Sequence, residues 1–164
     1  MLLTPELTEL ASSVAARLTE RGETIAVAES ASGGLISAAL VAVPGASAYY
    51  QGGYVIYTLE GAKAMLAGGP TIPADARGCT ESFSGWLALS AATNLTAHWG
   101  IGETGAAGPA GNRYGDSAGR AWVAVTSADG ELRTRELITD SADREANMRA
   151  FVGGALKLLL ETLT

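Results

Sequence analysis

A five-residue run of small and β-branched side chains, TIAVA at residues 24–28, lies between two segments with helical periodicity. In the segment before it, Leu7, Val14 and Leu18 recur at spacings of seven and four residues, which is the apolar stripe of an amphipathic helix. The run itself is too short for a helix and carries no charge, as is typical of a buried strand. A buried strand with a helix on either side of it in the sequence favours an α/β fold, in which helices cover a sheet.

The rest of the chain continues this alternation of strands and helices. The residue patterns predict strands at 48–58, 121–127 and 131–138, and helices at 5–21, 35–43, 62–66, 81–98 and 142–163. Asp129-Gly130 separates the last two strands and is a strong hairpin signal, so these strands are predicted to be antiparallel. Residues 105–119 are punctuated by glycine and are predicted to form a loop. Together these segments predict one mixed sheet with helices on both faces, in a single domain spanning residues 1–164.

The composition restricts the partners that the chain can bind. Its formal net charge is −6 and its sequence pI is about 4.7, whereas binding nucleic acid through a basic face needs clustered Lys and Arg. The longest apolar run, at residues 35–43, is about half of a membrane span. The amino-terminal residues lack the basic and apolar regions of a secretory signal. Cys79 is the only cysteine, so no disulfide forms within the chain. We expect a cytoplasmic protein that binds neither nucleic acid nor membranes.

The junction between the first strand and the second helix carries polar residues that are suited to chemistry. Its sequence is AVAESASGG, residues 26–34, and it places Glu29, Ser30 and Ser32 between two apolar elements. A helix N-terminus offers unpaired N–H groups and a partial positive charge, which suit an anion or a developing oxyanion. One interpretation is a tight turn in which Ser32 caps the helix. The other is an active site in which Ser30 or Ser32 is a nucleophile.

A serine nucleophile needs a base, and this chain offers few. A free hydroxyl is a weak nucleophile at neutral pH, and His or Lys usually takes its proton. The chain has one histidine, His98, and two lysines, Lys63 and Lys157. His98 ends a predicted helix, where it complements the helix dipole, and Lys157 occupies a polar position of the last helix. By elimination, Lys63 is the best candidate for the base.

Two further segments are candidates for ligand binding. Residues 103–116 combine several glycines with Thr104 and Arg113, and a loop so rich in backbone donors suits a phosphate or a carboxamide. The loop is not a Walker A motif, because no Gly-Lys-Ser/Thr follows. Arg144, at the start of the last helix, is either a surface charge or a guanidinium directed at a phosphate. The His, Cys and carboxylate residues show no metal-ligand spacing, so we expect no metal site.

Four segments together resemble one family. AESASGG is similar to the AESCTGG signature of the CinA C-terminal domain family, ASAYYQGGYVIYT to its aromatic strand, TGAAGP to its TGIAGP loop, and DREANMRAF to its last helix. The four occur in the family's order and at comparable spacing. Enzymatic members of this family are nicotinamide-nucleotide amidases of the PncC type. The resemblance implies a three-layer α/β/α sandwich around a mixed sheet, and a homo-oligomer.

The resemblance also implies an activity and the residues that perform it. The activity would be hydrolysis of the carboxamide of nicotinamide mononucleotide, a small-molecule partner, to nicotinate mononucleotide and ammonia, without a metal or an organic cofactor. The catalytic residues would be Ser30 as nucleophile, Lys63 as base, and Tyr57. The substrate-binding residues would be Ser32, Gly33, Gly34, Thr104, Gly105, Arg113 and Arg144.

The chain departs from the family's pattern next to these residues. The family places its lysine five residues after the tyrosine, whereas Lys63 comes six residues after Tyr57. One additional residue within a helix turns a side chain by about 100°, unless Gly61 lies in the loop before the helix. The sequence therefore leaves a second interpretation open: a CinA-like module that binds a nucleotide or a protein without catalysis. The position of Lys63 relative to Ser30 distinguishes the two.

Overall fold

The structure, a computed structural model, describes the whole chain, residues 1–164. It contains five α-helices and five β-strands, with one 3₁₀ turn before the second strand. In chain order the elements are α1 (Pro5–Arg21), β1 (Ile25–Glu29), α2 (Leu35–Val41), the 3₁₀ turn (Ala46–Ala48), β2 (Tyr50–Val55), α3 (Leu59–Met65), α4 (Glu81–Asn94), β3 (Trp99–Ala106), β4 (Arg120–Ser127), β5 (Leu132–Ile138) and α5 (Arg144–Thr162).

The five strands form one sheet in the order β2-β1-β3-β4-β5. β1 is parallel to both β2 and β3, whereas β4 is antiparallel to both β3 and β5. The predicted mixed sheet is confirmed, and the hairpin predicted at Asp129-Gly130 joins β4 to β5. Because β2 and β3 lie on opposite sides of β1, the carboxyl ends of β1 and β3 flank a topological switch point. This is where ligands bind in open α/β sheets.

Helices cover both faces of the sheet, which confirms the predicted sandwich. α1, α2 and α5 pack on one face around a core of 22 buried residues, among them Leu18, Ile101 and Leu156. α3 and α4 pack on the other face around a smaller core that includes Leu87. α1 begins and ends as its sequence predicts, at a capping threonine and a left-handed Gly22. None of the helices combines the length and hydropathy that crossing a bilayer requires.

The sequence pattern does not predict β3, and this is the main correction to the expected fold. The helix predicted at 81–98 ends at Asn94, and residues 99–106 form the central strand of the sheet. The first two residues of the loop predicted at 105–119 therefore belong to β3. The predicted pattern fails here because glycines and one glutamate, Glu103, interrupt the apolar and β-branched residues that normally mark a buried strand.

Two glycines in β3 are required by the way α4 lies on the sheet. A Cβ at Gly100 would collide with the carbonyl oxygen of Ala88, and a Cβ at Gly102 would collide with that of Ser84. The backbone of α4 therefore rests directly on the backbone of β3, an approach that only glycine permits. Gly100 and Gly102 make β3 difficult to predict from the sequence, and the same two glycines let α4 pack closely on it.

Candidate functional site

A cavity of about 480 Å³ opens at the carboxyl ends of β1 and β3. Its walls come from the turn after β1, the segment after β2, the loop after β3 and the start of α5. The lining includes Ser30 from the first of these, residues 56–60 from the second, residues 104–108 and 110–114 from the end of β3 and the loop after it, Arg144 from the last, and Arg77 and Gly78 from the segment before α4. The cavity therefore occupies the topological switch point of the sheet, where the fold places ligands.

Ser30 is the first residue after β1, and it lines this cavity. Its backbone N–H donates to Glu103 Oε2 at 3.0 Å, and its carbonyl accepts the N–H of Gly33, which closes the turn toward α2. No hydrogen bond within the chain engages its hydroxyl. The backbone of Ser30 is thus fixed at both ends, while its hydroxyl is left for a ligand.

Ser32 is in a different environment, although it is only two residues further along. Its side chain is fully buried, and its hydroxyl lies 2.7 Å from Glu29 Oε2 and 2.6 Å from Glu103 Oε2. Its backbone N–H also donates to Glu103 Oε2, at 2.9 Å. Of the two serines that the sequence offered as nucleophiles, the structure therefore opens Ser30 to the cavity and buries Ser32 between two carboxyl groups.

Glu103 lies beneath the turn that carries Ser30. Burial raises the pKa of its carboxyl to about 7, although the hydrogen bonds from Ser32 and Ser30 favour the charged form, and the nearby charge of Glu29 raises the pKa further. Its second oxygen, Oε1, is buried without a hydrogen-bond partner. Glu103 is therefore mostly protonated below about pH 7 and mostly ionised above it.

Arg144, the first residue of α5, connects two walls of the cavity. Its guanidinium donates to the hydroxyl of Tyr57 at 2.7 Å and to the carbonyl oxygen of Gly108. Asp143 caps α5 by accepting the N–H of Ala146, which fixes the start of the helix at this position. Arg144 forms no ion pair with a carboxylate of the chain, so its charge is available to an anionic ligand.

Two more guanidinium groups line the cavity. Arg77 and Arg113 lie over the ring of Tyr114, 4.9 and 5.0 Å from its centroid. Arg77 is paired with Asp116 at 2.7 Å, whereas Arg113 has no carboxylate within salt-bridge distance. Arg113 and Arg144 thus bring two guanidinium groups without an ion pair to the cavity, against one carboxylate from Glu60, in a chain whose net charge is −6. Such a local field suits an anionic ligand.

Asp116 organises the loop that carries Arg113. Its carboxylate accepts hydrogen bonds from Arg77, Arg120 and Asn112 at 2.7, 3.0 and 2.8 Å. Burial acts to raise the pKa of Asp116, but the hydrogen bonds and charges of these partners outweigh it and hold the pKa below its usual value. The loop is therefore held by a buried anion rather than left open to solvent.

Thr104 and Gly105 line the cavity at the end of β3. Thr104 is almost fully buried, and its hydroxyl accepts the N–H of Cys79 at 2.9 Å, which ties the loop before α4 to the strand. Burial raises the pKa of the Cys79 thiol to about 11. The thiol stays protonated at neutral pH and does not compete with Ser30 as a nucleophile.

The structure brings some of the predicted site residues together and leaves others apart. Those that line the cavity are Ser30, Tyr57, Thr104, Gly105, Arg113 and Arg144. Those that lie outside it are Ser32, Gly33, Gly34 and Lys63. The two glycines adopt left-handed conformations in the turn before α2, so they serve the path of the backbone.

Lys63 is exposed on α3 and does not line the cavity. The helix begins at Leu59, so Gly61 falls inside it rather than in the loop before it. Ala62, which is five residues after Tyr57, is fully buried in the core beneath α3. The additional residue therefore turns the lysine away from the position that the family's spacing would give it.

The two other candidate bases lie elsewhere. Thr24 and His98 hydrogen-bond to each other at the end of the sheet opposite the cavity, and Lys157 forms an exposed ion pair with Glu6. Neither His98 nor Lys157 lines the cavity. Tyr57 and Glu60 are the titratable side chains that the segment after β2 does bring to it.

Sequence reasoning missed Glu103 and Arg77. Glu103 is the one charged residue in the stretch WGIGETGA, residues 99–106, and a carboxyl group in an otherwise uncharged stretch is a signal for a perturbed site. Arg77 gives no such local signal, because its partner Asp116 is 39 residues away in the sequence.

The family model of the CinA C-terminal domain matches residues 7–163. The chain belongs to this family. A CinA-like protein of Anaeromyxobacter sp. (strain K) is 37% identical over 152 residues, which cover 92% of this chain and 36% of that protein. A CinA-like protein of Thermosynechococcus vestitus is 35% identical over 127 residues, which cover 77% of this chain and 30% of that protein. The chain thus spans about a third of the length of these relatives.

Solved structures of CinA proteins have the same fold. A CinA superfamily protein from Klebsiella pneumoniae superposes with a TM-score of 0.88 at 29% identity, covering 96% of this chain and 97% of that one. The competence/damage inducible protein of Agrobacterium tumefaciens gives a TM-score of 0.87 at 28% identity, covering 96% of each chain. The family membership expected from the four motifs is confirmed, and so is the fold that it implies.

Proposed function

We propose that this CinA domain binds nicotinamide mononucleotide in the cavity and hydrolyses its carboxamide to nicotinate mononucleotide and ammonia. The observation that carries the proposal is the position of Ser30, whose free hydroxyl lines the same cavity as the unpaired guanidinium groups of Arg113 and Arg144. A nucleophile together with two positive charges suits a substrate that carries an amide and a phosphate. The cavity volume also lies in the range of small-molecule sites.

In the proposed reaction Ser30 Oγ attacks the carboxamide carbon and passes its proton to a base. The tetrahedral intermediate collapses as the C–N bond breaks, and the base returns the proton to the leaving ammonia. Water then hydrolyses the ester, releasing nicotinate mononucleotide and restoring the Ser30 hydroxyl. Backbone N–H groups of the glycine-rich wall, residues 105–111, are the candidates for stabilising the oxyanion, and loss of one such donor typically costs about 3 kcal/mol.

The guanidinium groups would hold the 5′-phosphate. Arg144 is preorganised by its hydrogen bonds to Tyr57 and Gly108, so it loses little conformational freedom when a ligand binds. A planar guanidinium can bind a phosphate through two parallel hydrogen bonds. Arg113, which is exposed and bonded only to Tyr114, would add a second charge.

No side chain that could act as the general base forms a hydrogen bond to the Ser30 hydroxyl. Lys63 is exposed outside the cavity, and Glu60 lines the cavity from the same helix. Lys63 can take the proton of Ser30 only if its side chain reaches into the cavity, whose lining does not include it. This observation favours a second candidate function, in which the domain binds the nucleotide without hydrolysing it.

Ammonia release from nicotinamide mononucleotide tests both candidates. The variants are Ser30→Ala and Lys63→Ala, with Lys157→Ala as the matched control, since Lys157 is an exposed lysine far from the cavity lining. We expect turnover by the native chain, a loss of at least about a thousandfold for Ser30→Ala, and native turnover for Lys157→Ala. A comparable loss for Lys63→Ala would assign it as the base, whereas native turnover would remove it from that role.

Calorimetric titration with the same nucleotide separates the two candidates where turnover is absent. A native chain that binds without releasing ammonia performs the second function. A native chain that neither binds nor hydrolyses the nucleotide overturns both.

A further inference from the structure

Beneath the turn that carries Ser30 lie two carboxyl groups that the proposed reaction does not use. Glu29, at the end of β1, and Glu103, in β3, are both fully buried, and neither forms an ion pair. The hydroxyl of Ser32 lies between them, 2.7 Å from one carboxyl and 2.6 Å from the other. No buried cation balances the two acids that this hydroxyl bridges, and an unpaired buried charge is costly in free energy.

The bridge between the two carboxyl groups holds one proton more than the Ser32 hydroxyl supplies. The Ser32 hydroxyl has a single proton and can donate to only one carboxyl group. Its contact with the other group is then a hydrogen bond only if that carboxyl donates to the Ser32 oxygen. One of the two acids is therefore neutral when both short contacts are present.

The orphaned oxygen of Glu103 favours it as the partner that holds the proton, although its Oε2 also accepts the N–H groups of Ser30 and Ser32. Glu29 is well supplied as an anion, because its two oxygens accept from the N–H groups of Ile36 and Ser37 and from the hydroxyls of Ser32 and Ser37. Glu103 accepts at Oε2 only, and its buried Oε1 has no partner. A buried carboxylate with one oxygen that lacks a hydrogen-bond partner costs more free energy than a neutral carboxyl group in the same position. The direction of the Glu103 pKa, raised by burial to about 7, agrees with this assignment.

Glu103 also holds the turn that carries Ser30 directly, through hydrogen bonds to its backbone. The same oxygen that contacts the Ser32 hydroxyl accepts the backbone N–H groups of Ser30 and Ser32, at 3.0 and 2.9 Å. We propose that Glu103 is a positioning residue for Ser30, and that the proton it shares with Glu29 through Ser32 makes the Ser30 turn responsive to pH near neutrality. The effect of this switch on hydrolysis rests on the proposed function, but the switch itself does not.

Few other charged groups can perturb this cluster. α2 carries no charged residue, and β4 places Val123 opposite Glu103. α5 places Met148 against the turn at Gly33, and the charges on this part of α5 are engaged elsewhere: Arg144 with Tyr57 and Gly108, and Arg149 with Glu145. From β2, Tyr50 adds no charge at neutral pH, because burial raises its pKa. The charged residues of α1 are all exposed.

The physical consequence of losing the proton follows from the bridge. With Glu103 ionised, the Ser32 hydroxyl serves one carboxylate, and its contact with the other becomes a repulsion between two oxygens. Two negative charges then lie under the Ser30 turn instead of one. The turn relaxes, and the cavity above it becomes less favourable to an anionic ligand.

The experiment is a pH titration by NMR of the full chain without ligand, from pH 5.5 to 8.5. It follows the backbone amide resonances of Ser30 and Ser32 together with the side-chain carboxyl resonances of ¹³C-labelled glutamate. The variants are Glu103→Gln, which keeps an acceptor for the two N–H groups and has no titrating proton, and Ser32→Ala, which removes the bridge. Ser12→Ala is the control, because Ser12 lies on the exposed face of α1.

We expect the Ser30 amide of the native chain to titrate with a midpoint near pH 7, together with one glutamate carboxyl. Both titrations disappear in Glu103→Gln. In Ser32→Ala the midpoint shifts, since the hydroxyl that bridges Glu29 and Glu103 is lost. Ser12→Ala matches the native chain.

Three results would overturn the proposal: a Ser30 amide that does not move over this pH range, one that titrates equally in Glu103→Gln, or an unchanged midpoint in Ser32→Ala. Affinity for nicotinamide mononucleotide is measured alongside. The ratio of native to Glu103→Gln affinity is expected to fall several-fold from pH 6 to pH 8. A ligand that does not bind at any pH would count against the proposed function, while the amide titration would still decide the role of Glu103.

Discussion

The guanidinium of Arg144 donates a hydrogen bond to the hydroxyl of Tyr57, 87 residues earlier in the sequence, at 2.7 Å. The same guanidinium donates to the carbonyl oxygen of Gly108. One side chain at the start of α5 therefore joins the segment after β2 to the loop after β3, on either side of the cavity. Because both contacts are neutral acceptors, Arg144 fixes these walls without losing its charge to a carboxylate.

Replacing Arg144 by Ala is expected to weaken the binding of nicotinamide mononucleotide by about 10- to 100-fold. Hydrogen bonds to charged groups contribute about 1.5–3 kcal/mol, and each 1.4 kcal/mol is a tenfold change in affinity. Titration calorimetry with the nucleotide and with its riboside, which lacks the phosphate, measures the effect. The riboside is expected to lose much less affinity.

Arg149→Ala is the control for this measurement, since Arg149 pairs with Glu145 on the surface of α5 and does not line the cavity. Its affinity for both ligands should equal that of the native chain. An equal loss for nucleotide and riboside in Arg144→Ala would show that Arg144 maintains the walls and does not bind the phosphate.

Gly102→Ala is expected to destabilise the fold strongly. The new Cβ would collide with the backbone carbonyl of Ser84, which cannot move without shifting α4 from the sheet. Overpacking typically costs about 1–3 kcal/mol, and a backbone obstacle places this change at the upper end. Urea unfolding followed by circular dichroism measures the free energy of unfolding.

A second glycine in a core position provides the contrast. A Cβ at Gly153, inside α5, would meet only the side chain of Leu7 at an ordinary contact distance of 3.6 Å. Gly153→Ala is expected to leave stability unchanged or to raise it by up to about 1 kcal/mol, because alanine favours the helix. If both variants unfold at the same urea concentration as the native chain, the backbone of α4 does not rest directly on that of β3.

Most of the fold follows from local patterns in the sequence. The stripe of α1, the capping threonine before Pro5, the short buried run of β1 and the hairpin at Asp129-Gly130 each predict an element that the structure contains. β3 does not follow, because Gly100 and Gly102 are explained only by the packing of α4, a contact between elements. A pattern within one strand carries no information about such a contact.

The sequence likewise predicts one part of the site and leaves another part undetermined. Ser30, Thr104 and Arg144 stand in recognisable motifs, and the cavity includes all three. The place of Lys63 depended on whether Gly61 lies in the loop or in the helix, and the sequence fits either; the structure puts it in the helix. The homo-oligomer and the cytoplasmic location stay predictions, since both depend on surfaces and surroundings that one chain does not contain.

Asp116→Asn is expected to lower the free energy of unfolding by about 2 kcal/mol. The carboxylate is nearly fully buried and joins Arg77 to Arg120, and an asparagine cannot supply the negative charge that both require. The arginines are about one-third exposed, so solvent screening keeps the loss below that of a fully buried pair. Urea unfolding measures it, with Asp129→Asn in the exposed hairpin as the control. Equal stability of the two variants would mean that Asp116 does not hold the loop.

The raised pKa of Glu103 predicts that the stability of the native chain falls as the pH rises toward neutrality. In the unfolded chain this carboxyl titrates near 4.5, whereas in the folded chain it titrates near 7 because burial disfavours its charge. Between these values the folded state binds the extra proton, so the contribution is complete below 4.5, declines as the pH rises, and is lost above 7. The full difference corresponds to about 3 kcal/mol.

Glu103→Gln has no proton to lose at this position, so it should not show this decline. Relative to the native chain, it is expected to gain about 2–3 kcal/mol between pH 5 and pH 8 in urea unfolding measurements. The unfolding measurements stay above pH 5. The pKa values of three carboxyl groups are lowered, those of Glu23, Asp116 and Glu161, so their contributions to stability are lost only at lower pH. Glu20→Gln, at an exposed position of α1, should follow the native curve. Parallel curves for Glu103→Gln and the native chain would mean that Glu103 is already ionised at pH 5, and the shared proton beneath Ser30 would be ruled out without reference to any ligand or reaction.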